Sequence, residues 1–261
     1  MEPTQLSMAR ASARPPVAHG AAEVRDARSS GRIASVDSLR AIALIAMIAY
    51  HFCFDLRYFG VITPDLEHGP FWLVARTLIL SSFLLLAGVS LVLADVNKVS
   101  GAYFWRHVGT IAGCAVLVSA ASYLMFPLTF IWFGVLHAIA VTLVIARPLV
   151  RFPRIAFVIG CVVIAAGVVF SHPVFNQFTL GWIGFLTVKP YAEDYVPLFP
   201  WAGVVFVGIA AGHALVRNRF AILSPLATAP RWLAWPGRHT LAVYMLHQPI
   251  LIGALWAILH R

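Results

Sequence analysis

Seven apolar runs dominate this chain, and each is close to the length that a helix needs to cross a bilayer. Such a helix needs about 20 consecutive apolar residues. Only 11% of the 261 residues are charged, against about 25% in soluble domains. We therefore predict an all-α fold, a polytopic transmembrane helical bundle with about seven spans, at 37–57, 71–94, 103–126, 129–147, 154–171, 198–216 and 239–259.

A further apolar segment, 180–188, is too short to span the membrane. Segments of this length are either re-entrant or buried within a loop, and the sequence alone leaves both alternatives open.

The distribution of charge predicts the orientation of the bundle. The chain carries a net charge of +9, but its basic residues cluster in alternate loops, which is typical of the cytoplasmic side of membrane proteins and argues against nucleic acid as a partner. We predict a cytoplasmic amino terminus and an outer carboxyl end. The inner side then holds Arg10, Arg14, Arg25, Arg28, Arg32, Lys98, Arg106, Arg147, Arg151, Arg154, Arg217, Arg219, Arg231 and Arg238, and the outer side Arg57, Lys189 and Arg261.

Residues 1–31 differ in composition from the rest of the chain. They are rich in Ala, Arg, Ser and Pro and contain no apolar core, which predicts a disordered cytoplasmic tail instead of a cleaved signal. Residues 32–261 are expected to form one transmembrane domain. The lack of glycosylation sequons and of a secretory signal favours a bacterial inner membrane.

His51 lies in the first apolar run, where an ionisable side chain is a functional hypothesis by default. Arg40 precedes it by eleven residues, which on a helix places both on nearly one face, roughly 16 Å apart along the axis. Asp55 follows four residues later, so it could orient the imidazole as a general base requires. The alternative is a histidine that hydrogen bonds a neighbouring helix.

Further polar residues lie near the predicted outer side. His68 comes just before the second span, and Arg76 lies inside it. An arginine at this depth must either extend its charged group to the membrane interface or pair with an acidic residue. Asp55 is the acidic residue expected at the most similar depth in the membrane. An inert interfacial histidine is the alternative for His68. We predict substrate contacts for Arg76 and for His137, Asp194, Tyr195, His247 and Gln248, although a buried structural histidine, a helix cap or an aromatic belt would also explain some of them.

A second group lies near the predicted inner side. Arg40 is three residues after Asp37, and Arg238 and His239 begin the last span. Basic residues here could bind the phosphates of a soluble cofactor, but topology alone would also place them there. We predict cofactor contacts for Arg40, Arg238 and His239. The sequence contains no glycine-rich phosphate loop, zinc-helix motif or serine elbow, and we expect no metal site.

At these residues the chain resembles the bacterial branch of the heparan-alpha-glucosaminide N-acetyltransferase catalytic-domain family. The Arg40 to His51 spacing is also similar to that of a wider clan of membrane acyltransferases that modify cell-surface sugars. The resemblance covers nearly everything after the tail, and it rests on segments 35–43, 50–60, 83–90, 133–137, 194–201 and 237–249.

The resemblance implies an acetyltransferase that moves an acetyl group from cytoplasmic acetyl-CoA to an amino sugar or other sugar acceptor on the outer side. In the family an active-site histidine lies shortly before the second span, and His68 is its best match; the position of His51 is an Asn in the animal lysosomal members. His51, His68 and Asp55 are therefore our catalytic candidates, with the choice of base open. The expected partners are the lipid bilayer, acetyl-CoA and the sugar, and a homodimer is one option for assembly.

A proton-coupled membrane transporter is the alternative from another functional class. Intramembrane His and Arg residues would then relay protons. The sequence favours it less, because it contains no inverted repeat halves and no paired broken helices. A non-catalytic partner subunit is a third option.

Overall fold

A computed structural model of the chain describes residues 33–66, 68–192, 194–227 and 229–260. The predicted tail at 1–31 lies outside these residues. The described residues are helical with no strand, which confirms the all-α prediction. In chain order the helices are α1 (Ala34–Tyr58), α2 (Pro70–Val96), α3 (Gly101–Met125), α4 (Val135–Ala146), α5 (Pro153–Val169), α6 (Phe178–Gly181), α7 (Leu198–Arg217), α8 (Ser224–Ala227), α9 (Arg231–Arg238) and α10 (Thr240–Leu259).

Among the described residues, five helices are long and apolar enough to cross a membrane, namely α1, α2, α3, α7 and α10. The helices at the fourth and fifth predicted spans are apolar but shorter, with 12 residues in α4 and 17 in α5. The fourth run was expected to begin at 129, but its helix begins at Val135. Serines of α3 pair with the backbone of Ile131 instead: Ser122 Oγ accepts from its N–H at 3.0 Å, and Ser119 Oγ donates to its carbonyl at 2.5 Å.

The apolar segment 180–188 packs against the start of α7. The N–H groups of Leu198 and Phe199 donate to the carbonyls of Trp182 and Ile183, at 2.9 and 2.7 Å. These bonds satisfy polar backbone groups in a segment that is too short to form a span of its own. They also hold the loop before α7 in one place.

Helix α7 is the centre of the bundle and packs against α2, α4 and α5. Its contact with α2 depends on two glycines. A Cβ atom added at Gly208 would lie 2.3 Å from the carbonyl oxygen of Leu85, and one at Gly88 would lie 2.1 Å from that of Val205. Small residues at such crossings let two membrane helices approach backbone to backbone.

The helix ends that were predicted to be cytoplasmic lie together. Arg151, after α4, pairs with Asp95 at the end of α2, with 3.7 Å between Nε and Oδ1. The guanidinium of Arg147 lies 4.1 Å from the ring centre of Phe104, near the start of α3. His213, near the end of α7, bonds the carbonyl of Val150 through Nε2 at 2.7 Å. This grouping is what helices that alternate in direction require.

The first and last spans are neighbours in the structure. Both α9 and α10 pack against α1, and a Cβ atom added at Gly237 would lie 1.8 Å from the carbonyl oxygen of Asp37. The backbones of α9 and α1 therefore touch at this point.

Candidate functional site

Four polar side chains meet where α10 crosses α1, and we call them the histidine cluster: His51, Asp55, His247 and Gln248. The ring centres of His51 and His247 are 5.0 Å apart, with their planes inclined by 59°. Gln248 donates from Nε2 to Oδ1 of Asp55 at 2.7 Å, and Asp55 is only 3% exposed. Two residues of the first span and two of the last therefore form one polar site, in which Asp55 is buried and the other three side chains are half-buried.

The hydrogen bonding of His247 determines its tautomer. Its Nδ1 lies 2.5 Å from the carbonyl oxygen of Tyr244, and because a carbonyl can only accept, Nδ1 carries the hydrogen. In the neutral ring Nε2 then keeps its lone pair. This nitrogen is an acceptor, as a general base must be.

Three buried atoms of the histidine cluster have no hydrogen-bond partner among the described residues. They are Nε2 of His247, Oε1 of Gln248 and Oδ2 of Asp55. A buried polar atom left without a partner costs about 1–3 kcal/mol. All three can accept a hydrogen bond, so the cluster is suited to a group rich in N–H or O–H donors.

The expected contact between Asp55 and His51 is not formed. The carboxylate of Asp55 accepts from Gln248, while the ring of His51 contacts Tyr50 and His247. Both residues do lie on α1, one turn apart, as predicted. The side-chain amide of Gln248, in the last span, bonds the carboxylate of Asp55 instead. The catalytic roles of both residues remain predictions.

His68 lies apart from the histidine cluster. Its side chain is 82% exposed, and Nδ1 lies 3.3 Å from Oδ1 of Asp65 in the loop between α1 and α2. The backbone N–H of His68 donates to the same oxygen at 2.9 Å. The structure thus brings only one of the two predicted bases, His51, into the cluster, and the role of His68 remains a prediction.

Asp194 joins three segments near the histidine cluster. Its Oδ2 accepts from the N–H of Val135, at the start of α4, at 3.2 Å and from the hydroxyl of Tyr244, in α10, at 3.4 Å. Burial raises the pKa of Asp194, and these bonds together with the charges of Arg76 and Lys189 oppose that rise. Arg76 is exposed, and its charge is one of those that act on Asp194; its pairing with Asp55 and its substrate contact remain predictions.

Tyr195 and His137 are engaged in bonds that shape the backbone. The hydroxyl of Tyr195 donates to the carbonyl of Gly181 at 2.5 Å, and burial raises the pKa of this phenol. His137 accepts at Nδ1 from the N–H of Gly134 at 3.2 Å, so its Nε2–H faces Oγ of Ser119 at 3.4 Å. Both ring nitrogens of His137 therefore have protein partners, and the predicted substrate contacts of these two residues stay predictions.

A second polar group, which we call the arginine cluster, surrounds the start of α1: Asp37, Arg40, Ser90 and Arg238. Asp37 is 1% exposed and lies between two guanidinium groups, 2.6 Å from Nη1 of Arg40 and 3.6 Å from Nε of Arg238. Arg40 also donates to Ser90 in α2 at 2.7 Å. Two guanidinium groups therefore lie beside one buried carboxylate.

Arg238 and His239 reach the surface beside this cluster. The side chain of Arg238 is 48% exposed, and the exposed ring of His239 bonds the carbonyl of Trp235 through Nδ1 at 3.0 Å. Both predicted cofactor contacts are thus accessible at the end of the bundle where α1 begins.

Two members of these sites were missed by sequence reasoning. Ser90 and the hydroxyl of Tyr244 were not among the predicted site residues, yet they bind Arg40 and Asp194. Tyr244 lies three residues before His247 in the last span, and that spacing on one helical face was an available signal. Ser90 had none, because a serine within a span is commonly satisfied by its own helix, and this one also donates to the carbonyl of Leu86.

Together these features define a multi-pass helical membrane protein with a histidine cluster near one end of its first span and an arginine cluster at the other. Residues 32–249 match the family model described as heparan-alpha-glucosaminide N-acetyltransferase, catalytic. The chain belongs to this family, as the resemblance predicted, and membership implies a membrane acetyltransferase activity. Comparison with curated proteins and with solved structures finds no match.

Proposed function

We propose that the protein transfers an acetyl group from cytoplasmic acetyl-CoA to an amino sugar or other sugar acceptor on the outer side of a bacterial inner membrane. The observation that carries this proposal is the placement of two different polar clusters along α1. Arg40, in the arginine cluster, and His51, in the histidine cluster, are eleven residues apart, which is roughly 16 Å along a helix. The acetyl donor and the acetyl acceptor can thus approach one helix from its two ends.

The arginine cluster suits the donor. Guanidinium groups bind phosphate through paired charge-assisted hydrogen bonds, and the guanidinium side chain of Arg238 is half-exposed. His239 lies next to it at the surface. When bound, acetyl-CoA supplies an acetyl thioester; Arg40, Arg238 and His239 would hold its anionic part on the inner side.

The histidine cluster suits the acceptor. An amine or hydroxyl must lose a proton as it attacks an acetyl carbon, and a positioned histidine can accept that proton, typically for a gain of about 10²–10⁴ in rate. The acceptor atoms of Asp55, His247 and Gln248 would hold the N–H or O–H groups of the substrate. Asp194 and Tyr195, in the loop before α7, and Arg76, in α2, are the further residues we propose for sugar contacts.

The donor site is tested by calorimetry of acetyl-CoA binding to protein in nanodiscs. Arg238→Gln removes a charged donor, and because hydrogen bonds to charged groups contribute about 1.5–3 kcal/mol, we expect affinity to fall by about 10- to 100-fold. Arg151→Gln is the matched control, since Arg151 lies at the same end of the bundle and pairs with Asp95. Equal affinity in wild type and both variants would contradict the donor site.

The acceptor site is tested by measuring acetylation of an amino sugar by protein in proteoliposomes. His51→Ala and His68→Ala are compared after each is shown to be folded, and we expect His51→Ala to lose activity, because His51 is in the cluster and His68 is exposed. Full activity in both variants would refute the histidine assignment. Net movement of solute without acetyl-CoA would favour a transporter.

A further inference from the structure

We propose that His247, predicted from sequence only as a substrate contact, is the catalytic base that deprotonates the acceptor, and that Gln248 is a positioning residue for Asp55. The inference rests on the proposed acetyl transfer. It concerns which of the two histidines in the histidine cluster performs the proton transfer.

The rings of His247 and His51 differ in what holds them. A base works best when its other nitrogen is held by a third group, which settles both its tautomer and its direction. His247 has this arrangement, because the carbonyl of Tyr244 holds Nδ1–H at 2.5 Å and leaves the Nε2 lone pair without a partner among the described residues. His51 has ring contacts with Tyr50 and His247 but no hydrogen bond to the described residues that would select a tautomer.

Besides Nε2 of His247, the histidine cluster holds two further acceptor atoms without a partner among the described residues. The next residue, Gln248, donates its amide N–H to Asp55, so its Oε1 is left as an acceptor, and Oδ2 of Asp55 is another. His247 and Gln248 face residues one turn apart on α1, namely His51 and Asp55. The base and the acceptor oxygens thus lie against the same turn of α1, and we propose that these oxygens hold the substrate amine or hydroxyl for His247.

The chemical step balances without any further reactant. A bond forms between the acceptor nitrogen or oxygen and the acetyl carbon, and the bond between that carbon and the donor sulfur breaks, with its electron pair going to sulfur. His247 Nε2 receives the proton of the acceptor. The imidazolium keeps its Nδ1–H on Tyr244 and gives the new proton to the departing thiolate, which restores the neutral ring.

The deciding variant is His247→Asn. Asparagine keeps an N–H close to the position of Nδ1, where it can still bond the carbonyl of Tyr244, but it has no atom at the position of Nε2. We expect a folded protein in which kcat falls by about 10²–10⁴ while KM for acetyl-CoA stays within about threefold of wild type. His260→Asn is the matched control, because His260 also bonds a carbonyl through Nδ1 at the end of the same helix, at 3.1 Å, but is exposed; it should keep the wild-type kcat.

A second measurement separates a base from a structural histidine. In His247→Gly, added imidazoles of graded basicity should restore activity in proportion to their basicity, as Brønsted behaviour requires. Rescue that is equal for all of them, or a His247→Asn variant with near wild-type kcat, would overturn the proposal. So would a His51→Asn variant that loses far more kcat than His247→Asn. A wild-type protein that transfers no acetyl group would overturn the proposed function as well, whereas failure of the His247 variants in an active protein overturns this inference alone.

Discussion

The bond between Gln248 and Asp55 is the most informative single contact to perturb, because it joins the last span to the first. Asp55 is 3% exposed, its Oδ1 accepts from Gln248, and its Oδ2 has no partner among the described residues. Gln248→Leu therefore leaves a buried carboxyl with neither oxygen bonded to those residues. Hydrogen bonds to charged groups contribute about 1.5–3 kcal/mol, and we expect the free energy of unfolding to fall by that amount.

The assay is reversible denaturant unfolding in detergent micelles, applied as a double-mutant cycle with Asp55→Leu. Replacing both partners by apolar groups can be nearly neutral, since no buried polar atom is then left alone. We expect the double variant to be more stable than Gln248→Leu, with an interaction energy of about 1 kcal/mol or more between the two sites. Gln177→Leu is the control; Gln177 is exposed in the loop before α6, so its change should stay within about 0.5 kcal/mol.

Additive losses would refute this reasoning. If the two single variants sum to the double variant within about 0.3–0.5 kcal/mol, the residues act independently. The last span would then be held to α1 by packing and by α9 alone, and Gln248 could not position Asp55.

Two further predictions concern the bundle and the loop before α7. Gly208→Ala places a Cβ atom 2.3 Å from the carbonyl of Leu85, so α2 and α7 must separate, and we expect the free energy of unfolding to fall by about 1–3 kcal/mol. Gly113→Ala is the control, because its Cβ atom meets nothing within 4 Å, and it should be neutral or stabilising. Equal losses in the two variants would contradict the packing of α2 against α7. Burial raises the pKa of Asp194 above its ordinary value of 3.8, so the folded state binds the proton more tightly. The stability that Asp194 contributes is complete below pH 3.8 and is lost as pH rises through the raised pKa. Asp194→Asn should lack this decline, and parallel stability curves for wild type and variant from pH 3.8 upward would count against it.

The helices were largely predictable from the sequence because long apolar runs leave a chain few other options in a membrane. All seven runs contain a helix in the structure. The start of α4 was the least predictable. The residues after 129 are as apolar as those of a membrane-spanning helix, but the backbone of Ile131 bonds to serines of α3 instead. Side chains from another helix decided that boundary, and local periodicity carries no information about them.

The histidine cluster was only half predictable for a related reason. Helical spacing placed His51 and Asp55 on one face of α1, which is a local property. The partners of these residues come from α10, and Gln248 is 193 residues from Asp55. Which helix packs against which depends on glycine contacts such as the one at Gly237. The direction of His68 was likewise decided by a bond to Asp65 within its own loop.

The pairing of the first span with the last has a consequence for how the protein is made. A ribosome delivers α1 to the membrane long before α10 exists, so during synthesis Asp55 has no amide from Gln248 and Asp37 has no second arginine. The contact of Arg238 with Asp37 needs α9, and the bond of Gln248 to Asp55 needs the final helix, α10. The histidine cluster is therefore incomplete until α10 lies beside α1, and a chain truncated before α10 would keep the carboxylate of Asp55 without the amide of Gln248.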